Sequence, residues 1–329
     1  MAAKLRIDMW NSARKLLLLI VMLLSMNIFA QQDPQYSQNM FNHFVVNPAV
    51  AGMEDALVGD LMNRNQWSGV EGAPTTSALS VQLPVRFIEQ SGIGLNMISD
   101  KIGAITSTGF NLGYSYRVQL GNGDLGFGLG IGVQNWGLNP DGGWEAIDGA
   151  DNDPLIPNAE VSEIALDMNF GVFYREEDFY GGFSVTHLNQ PVIEYETGID
   201  NGNSPGNGSI YLSRHYYLMG GYNFKLNDPL FELRPSVFIK TDMAAYQLDL
   251  NCNLFYDNRL WGGLSYRIND AVVLLFGTEL LNGLRIGYSY DIQTSALARY
   301  GKGSHEIHLS YSLQLEIRRN SPYKSVRYL

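Results

Sequence analysis

Strict period-two alternation of apolar with polar or small residues recurs down this chain and limits what it can fold into. In the stretch GFNLGYSYRVQL, one face carries Phe110, Leu112, Tyr114, Tyr116, Val118 and Leu120. Because successive side chains of a strand point to opposite faces, such stretches predict β-strands with one apolar face. A lipid-facing barrel and a soluble β-sandwich both use such strands, so alternation alone does not choose between them.

The order of the strand segments narrows the choice. Alternation and turn residues predict about fourteen strands. They lie near 55–64, 73–84, 91–99, 104–118, 123–137, 163–175, 179–188, 209–226, 230–241, 245–256, 259–267, 271–280, 283–293 and 304–317. Connections after even-numbered strands are all short. The long ones, around 65–72, 138–162, 189–208 and 294–303, all follow odd-numbered strands.

This sorting of connections is typical of an outer-membrane barrel, which has short periplasmic turns and long external loops. A sandwich has no reason to sort its loops in this way. The sequence therefore predicts an all-β fold, a transmembrane, up-and-down, antiparallel β-barrel of about 14 strands. We expect the barrel to be closed, so that no strand edge faces lipid. We also expect a short N-terminal segment to cap its periplasmic mouth.

The first thirty residues have the pattern of a secretory signal. Basic residues precede the apolar run from Leu16 to Phe29, and the small residue Ala30 follows. The run is shorter than the ~20 residues that a spanning helix needs. We therefore expect cleavage near Ala30. The predicted domains are the signal 1–30, an N-terminal periplasmic or plug segment 31–54, the barrel 55–318 and a C-terminal tail 319–329.

Charge and cysteine content restrict the partners. The net charge is −11, and removing the signal makes it more negative, because the signal holds four basic residues and one acidic residue. Nucleic acid is therefore not an expected partner. The single Cys252 cannot form an intrachain disulfide.

The stretch QYSQNMFNHFVVNP, which precedes the first predicted strand, has a different period. Tyr36, Met40, Phe41, Phe44 and Val45 recur at offsets that suit one face of a short helix. The Asn-Pro pair at 47–48 ends that helix, because the residue before proline is disfavoured in helical geometry. We expect residues 33–52 to cap or plug the periplasmic mouth. They would then present Asp33, Gln35 and Gln38 to a periplasmic partner.

Charged residues on the polar faces of the strands are expected to point into the lumen, because a charge facing lipid at mid-depth costs ~2–4 kcal/mol. We expect these luminal residues to pair across the barrel. They are Arg117, Asp167, Asp249, Arg267, Arg285 and His308, together with Asn169.

Acidic residues without nearby bases mark two of the predicted external loops. They are Asp141, Glu145, Asp148, Asp151, Asp153, Glu194 and Glu196. Such a rim favours a basic or calcium-bridged partner. Solvated acidic loops are the alternative, since the loop at 148–157 lacks the glycine and distal Glu of a calcium hand.

Catalytic and cofactor motifs are weak in this sequence. His305 and His308 lie three positions apart on a predicted strand, and hence on opposite faces, so they cannot share a metal ion. The run GFGLGIG keeps period two instead of opening a helix, which indicates a strand thinned on its luminal side, and not a phosphate loop. No nucleophile has a placed base. We predict no enzyme activity, no cofactor and no metal site.

Five blocks of the sequence carry a family resemblance. They are QDPQYSQNMFNHFVVNPAVAG, NRNQWSGVEGAPTT, YRINDAV, LRIGYSYDI and SHEIHLSYS, in that order. Together they resemble the PorP/SprF family of outer-membrane proteins, which is associated with type IX secretion and gliding in Bacteroidota. The first two together are specific. The resemblance implies an outer-membrane, non-catalytic component. It would support export, attachment or movement of a secreted adhesin-like surface protein, together with periplasmic, peptidoglycan-linked components of the secretion or gliding machinery.

Two alternatives remain at this point: a passive, porin-like solute channel and a soluble secreted adhesin. The residues that we expect to bind a partner lie in the first two blocks. They are Asp33, Gln35, Tyr36, Gln38, Phe41, Asn47, Pro48, Arg64 and Trp67.

Overall fold

The computed structural model describes residues 33–85, 88–139, 157, 159–200, 204–280 and 283–314. Within these ranges, fourteen antiparallel strands form the wall of a closed barrel. The wall strands are β1 (Ala56–Asn65), β2 (Thr75–Pro84), β3 (Ser91–Ile102), β4 (Ile105–Leu120), β5 (Gly123–Leu138), β6 (Val161–Arg175), β7 (Phe179–Thr186), β10 (His215–Tyr222), β12 (Phe231–Thr241), β13 (Tyr246–Tyr256), β14 (Leu260–Arg267), β15 (Ala271–Glu279), β16 (Leu284–Gln293) and β17 (Ser304–Gln314). The first and last strands pair from Ala56↔Gln314 to Asn65↔His305, which closes the wall.

Three further strands complete the described part of the fold. Strands β8 (Val192–Asp200) and β9 (Ser204–Tyr211) form a separate hairpin between β7 and β10. The two-residue β11 (Phe224–Lys225) follows β10 and pairs with the first residues of β12. The predicted strand 209–226 is therefore wrong as a single element. Its first residues belong to the hairpin, because Leu212 leaves the wall to pack in a buried cluster with Trp136 and Ile193.

The predicted faces are confirmed by burial. On the outer face, Leu61, Leu79, Leu95, Leu112 and Leu129 are each 45–63% exposed. The residues immediately before and after each of these leucines point inward and are buried or half-buried. An apolar belt of this extent on a soluble protein would be covered, whereas lipid covers it in a membrane barrel.

The two ends of the barrel differ as the sequence predicts. The connections at one end are longer, and they include 66–74, 187–214 and 294–303. By the rule for outer-membrane barrels this is the external end, and the end of the short turns is periplasmic. Among the described residues, no helix is long and apolar enough to cross a membrane.

The expected N-terminal helix does not form. Three short 3-10 turns, Asn39–Phe41, His43–Val45 and Pro48–Val50, replace it. Asn42, with φ −139°, separates the first two, and Asn47 separates the last two. The Asn47 side chain accepts a hydrogen bond from the Ala49 N–H at 3.0 Å. This bond caps the N-terminus of the turn Pro48–Val50. The predicted stop at the Asn-Pro pair is therefore confirmed, but not the helix before it.

Candidate functional site in the barrel lumen

Residues 33–55, the luminal segment, lie inside the barrel and run from its external end to its periplasmic end. At the external end, the Asp33 N–H donates to Nε2 of His215, the first residue of β10 (3.1 Å). Near the periplasmic end, Ser115 Oγ donates to the carbonyl of Ala51 (2.6 Å). The segment is therefore not confined to the periplasmic mouth, as the sequence had suggested, and its first residues lie farthest from the periplasm.

A group of buried charges on the wall surrounds the upper part of the luminal segment. Arg64 of β1 and Arg267 of β14 both pair with the Asp291 carboxylate of β16, at 2.7 and 2.8 Å. Arg267 also pairs with Asp249 at 3.2 Å, and Arg64 with Glu306 at 3.3 Å. All five side chains are at most 2% exposed. We call these five residues the charge cluster.

The luminal segment completes the charge cluster. Ser37 Oγ donates to Asp291 Oδ1 (2.8 Å) and accepts from Arg64 Nη1 at the same distance. The backbone N–H groups of Ser37 and Gln38 donate to the two carboxylate oxygens of Glu306, at 2.7 and 2.8 Å. Charged groups that are buried cost free energy unless all their hydrogen-bonding positions are used, and the segment supplies several of those partners.

A second polar cluster holds the first described residue. The Asp33 carboxylate accepts from Tyr217 Oη at 2.6 Å and from Thr186 Oγ1 at 2.9 Å, and lies 3.0 Å from His187 Nε2. The other ring nitrogen of His187 lies 2.9 Å from Asp167 Oδ1. One imidazole thus bridges a carboxylate of the segment and a carboxylate of the wall.

The charged groups of this second cluster shift each other's pKa values. Burial opposes the charged form of Asp33, but the His215 and His187 rings outweigh it and hold the Asp33 pKa well below its ordinary value. Burial likewise lowers the pKa of His187, yet Asp33 and Asp167 together raise it to about 10. At neutral pH the bridge is therefore an imidazolium between two carboxylates.

The lower part of the luminal segment packs closely against wall glycines. A Cβ at Gly128 would overlap the backbone nitrogen of Ala49, and one at Gly92 would overlap the carbonyl of Ala51. Ala49 and Ala51 are fully buried. The glycine run of β5 thus thins the luminal side of the strand, as the sequence predicts, and the space it opens is filled by backbone.

Most of the predicted luminal residues do point inward. Five are buried to at least 90%: Arg117, Asp167, Asp249, Arg267 and His308. Asn169, which the sequence analysis also placed inward, is buried too. They pair with strands one or two positions away in the wall, with loops or with the luminal segment, as in Arg117–Asp55 (3.0 Å) and His308–Asp60 (3.0 Å). The predicted pairing across the barrel is therefore wrong.

Arg285 is the exception among these residues. It shares the inward face of β16 with Asp291, but its side chain is 51% exposed and pairs with Glu279 at 2.9 Å. The reason is its position near the periplasmic end of the strand, where solvent enters the barrel mouth.

Most of the predicted partner-binding residues lie inside the barrel, where they are buried or hydrogen-bonded to the wall. Gln38 and Asn47 have no exposed surface, and Tyr36, Pro48 and Arg64 are buried. Asp33 lies in the His187 cluster, and the Gln35 amide lies against Arg267 and Asp270. The prediction that Asp33, Gln35 and Gln38 face a periplasmic partner is therefore wrong, because these residues bond to the external half of the wall.

The two aromatic residues of that predicted set lie at different depths. The Phe41 ring packs on Trp261 and Phe255 inside the lumen, with centroids 5.4 and 6.3 Å apart. Trp67 lies in the external loop after β1, where its backbone N–H donates to Ser304 Oγ at 3.0 Å. Neither residue reaches the periplasmic face.

Only part of the predicted acidic rim lies within the residues that the structure describes. Glu194 and Glu196 are exposed on β8, in the external hairpin. Asp141, Glu145, Asp148, Asp151 and Asp153 lie outside the described residues. Within the described part of the chain, no cluster of three or more His, Cys, Asp or Glu side chains has an arrangement that could hold a metal ion.

Sequence reasoning missed several residues of this site. Ser37, Asp291 and Glu306 complete the charge cluster, and His187 links the segment to the wall. Asp291 and Glu306 carried a signal, because each is a charge on the polar face of a predicted strand. Ser37 and His187 carried none, since their roles arise only when distant parts of the chain meet.

Comparisons with known proteins give one family. A sequence profile described as "Type IX secretion system membrane protein PorP/SprF" matches residues 28–311. No curated protein matches the chain.

Among solved structures, the chain is similar to a Pseudomonas aeruginosa FadL homologue, with 11% identity and a TM-score of 0.48 over 86% of this chain and 95% of that one. It is also similar to the P. putida toluene transporter TodX, with 11% identity and a TM-score of 0.44 over 83% and 94%. A third similarity is to the translocator domain of the Neisseria meningitidis autotransporter NalP, with 12% identity and a TM-score of 0.43 over 79% and 87%.

Proposed function

Because the chain belongs to the PorP/SprF family of type IX secretion system membrane proteins, we propose that it supports the export, surface attachment or movement of a secreted adhesin-like protein. In this role the outer-membrane barrel is a non-enzymatic platform. The family match over residues 28–311 is the observation that carries the proposal. The acceptor of the secreted protein, in this view, is the external end of the barrel.

The occupied lumen supports a platform over a passive solute channel. A channel needs a continuous aqueous path, whereas here the luminal segment is bonded to the wall at both ends and in between. Halfway along, Asn42 Nδ2 donates to Ser80 Oγ at 3.0 Å, and Asn96 Nδ2 donates to the carbonyl of Val45 at 2.9 Å. Ordered backbone fills the space that permeating solutes would use.

Deleting the gene for this protein in its native cell tests the proposed role. We expect the deletion strain to lose a secreted protein from its cell surface. Expression of the full-length chain from a plasmid should restore that protein to the surface. Unchanged surface display in the deletion strain would contradict the proposal. A large, steady single-channel conductance of the purified protein would favour the solute channel instead.

Locking the luminal segment in place tests whether the secreted protein passes through the barrel or only contacts it. Cysteines at Asn42 and Ser80, in a Cys252→Ser background, place a disulfide where the two side chains now bond. We expect the oxidised, locked protein to support surface display as well as the reduced one does. Loss of display on oxidation alone would mean that the segment must move to open a path. The Cys252→Ser protein without the added pair is the matched control.

Two surfaces are available for the partners that the family implies. We propose that the exposed Glu194 and Glu196 on the external hairpin contact the secreted protein through its basic groups. Changing both to Gln is expected to weaken retention of that protein and reduce its salt dependence. Glu71→Gln, at an exposed position in the external loop after β1, is the control. Equal retention in all three proteins would contradict this contact.

Periplasmic, peptidoglycan-linked components would meet the short turns. These turns carry exposed charges, including Lys225, which pairs with Glu177 at 2.6 Å. We propose that these turns, and not Asp33, Gln35 or Gln38, make the periplasmic contact. Crosslinking from Lys225 is expected to capture a periplasmic protein, whereas crosslinking from Lys302 in the long connection at the external end is not.

A further inference from the structure

A cavity of about 300 Å³ lies in the lumen above the luminal segment, towards the external end. Its walls come from the external halves of β3 to β6 and from the chain around 186–217, and its floor includes Tyr36 and Val45. Ile102, the last residue of β3, and Ile105, the first of β4, lie at its upper edge. The volume is at the lower end of the range for small-molecule sites.

One carboxylate in this cavity lacks an ionic partner. The described part of the chain has six carboxylates that are buried to more than 90%: Asp60, Asp100, Asp167, Asp249, Asp291 and Glu306. Five of these pair with an arginine or histidine. Asp100 forms no ion pair within these residues, and its hydrogen bond comes from Thr76 Oγ1 at 2.5 Å. The buried Lys240, whose Nζ donates to the Asp33 carbonyl at 2.8 Å, acts on Asp100 only from beyond ion-pair distance.

Other buried polar atoms around the cavity also lack partners. They are Asn96 Oδ1, Tyr36 Oη and Trp136 Nε1, from side chains that are at least 90% buried. All three residues line the cavity. Buried polar groups in folded proteins nearly always have a hydrogen-bonding partner. Similar unpartnered atoms occur elsewhere among the described residues of the lumen, so Asp100, and not these atoms, distinguishes the cavity.

The rest of the lining sets the shape of that partner. Ile98, Ile102, Ile105 and Leu212 give the cavity an apolar side. A cation would be attracted to Asp100, and the nearby carboxylates of Asp33 and Asp167 already share the His187 imidazole between them. Since a buried, unpaired carboxylate is costly, a ligand cation would relieve that cost on binding.

We propose that this cavity is a binding site for a primary ammonium group on a short apolar stem, with Asp100 as its counter-ion. Such a group is carried by a free aliphatic amine or by a lysine side chain of a partner that enters from outside the cell. The stem lies on the isoleucines. The site does not depend on the role in secretion proposed above.

Matched probes test the charge requirement by calorimetry on the full mature protein in detergent micelles. n-Butylammonium is compared with 1-butanol, and a blocked Gly-Lys-Gly peptide with its norleucine analogue. We expect each cation to bind at least tenfold more tightly than its neutral counterpart. Binding of n-butylammonium alone identifies a free amine as the source, and tighter binding of the lysine peptide identifies a partner side chain. If neither cation binds, or if the neutral probes bind equally well, the proposal is wrong.

Variants test the counter-ion. Asp100→Asn is expected to reduce cation binding to the level of the neutral probe, whereas the exposed Asp228→Asn at the periplasmic end leaves it unchanged. Ile102→Lys, at a half-exposed position, supplies an internal ammonium group and is expected to abolish binding of the added amine. This second variant keeps the test open if Asp100→Asn fails to fold. Wild-type affinity in either folded variant would overturn the assignment.

Discussion

The two halves of the luminal segment are held by different physical means. Residues 33–39 bond to buried charges at the external end, through Asp33, Ser37 and the backbone. Residues 44–53 are held by steric fit, with Phe44 against Gly94 and Ala49 against Gly128. The first half depends on charge balance and hence on pH, whereas the second depends on the absence of side chains in the wall. Four changes test this comparison.

The largest effect is expected from Arg267→Met. It leaves Asp249 and Asp291 without one of their cations in a site that excludes water. Removing one partner of a buried ion pair costs ~3–5 kcal/mol, so we expect a loss of that size in the free energy of unfolding in urea. Arg285→Met, at an exposed position on the same luminal face, is the control and should cost under about 1 kcal/mol. Equal losses in the two variants would show that the charge cluster contributes no more than a surface pair.

Gly128→Ala tests the steric half. The added methyl group would overlap the Ala49 backbone, so the luminal segment must shift. Overpacking of this kind costs ~1–3 kcal/mol, and faster hydrogen exchange is expected in residues 44–53 but not in 33–39. Gly262→Ala is the control, because its nearest neighbour, the carbonyl of Leu275, would lie at an ordinary 3.9 Å. Faster exchange along the whole segment would mean that the two halves are one cooperative unit.

Raising the pH tests the polar half alone. His187 has an ordinary pKa of 6.5 and a folded pKa of about 10. A group whose pKa is raised by folding stabilises fully below its unfolded pKa, and this contribution is lost as the pH rises through the folded value. Between pH 6.5 and 8.5 we expect residues 33–39 to lose about 2 kcal/mol of protection, measured by hydrogen exchange corrected for intrinsic rates.

His187→Gln supplies the control for the pH experiment. This variant is expected to show little protection at either pH and no dependence on pH, whereas His305→Gln, which removes a ring bonded to Tyr288, keeps the wild-type dependence. A pH dependence that survives in His187→Gln would assign it to another group. Residues 44–53 should be unaffected in all three proteins.

The smallest effect is expected at the periplasmic end. Glu54 lies 3.6 Å from Arg175, and both side chains are more than 40% exposed. Exposed pairs of this kind contribute ~0–1 kcal/mol, so Glu54→Gln should change the unfolding free energy by less than about 0.5 kcal/mol. A larger loss would mean that charge also holds the lower half, which would remove the distinction between the halves.

Much of the wall was predictable because strand geometry is local. Alternation placed Leu112 and Tyr114 towards lipid and Asp167 and Arg117 towards the lumen, since a side-chain period of two leaves only one assignment that keeps charges out of lipid. Alternation and turn residues predicted the strand count, and loop lengths predicted the two ends of the barrel. Arg285 shows the limit, because alternation gives the face of a residue but not whether solvent reaches it.

The luminal segment was less predictable because its partners are remote in sequence. Its apolar spacing suggested a helix, but the chain breaks at Asn42, where φ is −139° and the side chain donates to Ser80 of the wall. The predicted surface for a periplasmic partner was wrong for the same reason, since burial inside a barrel cannot be read from a short polar stretch.

The sequence by itself determined the strands, their lipid-facing sides, the order of long and short connections and the family. These depend on neighbouring residues and on the bilayer, which acts on every strand alike. Only the tertiary structure decided that residues 33–55 fill the lumen, that Arg64 and Arg267 share Asp291, and that Asp100 forms no ion pair with another described residue. These features join residues up to 269 positions apart, and no local pattern encodes which distant charges will meet once the barrel closes.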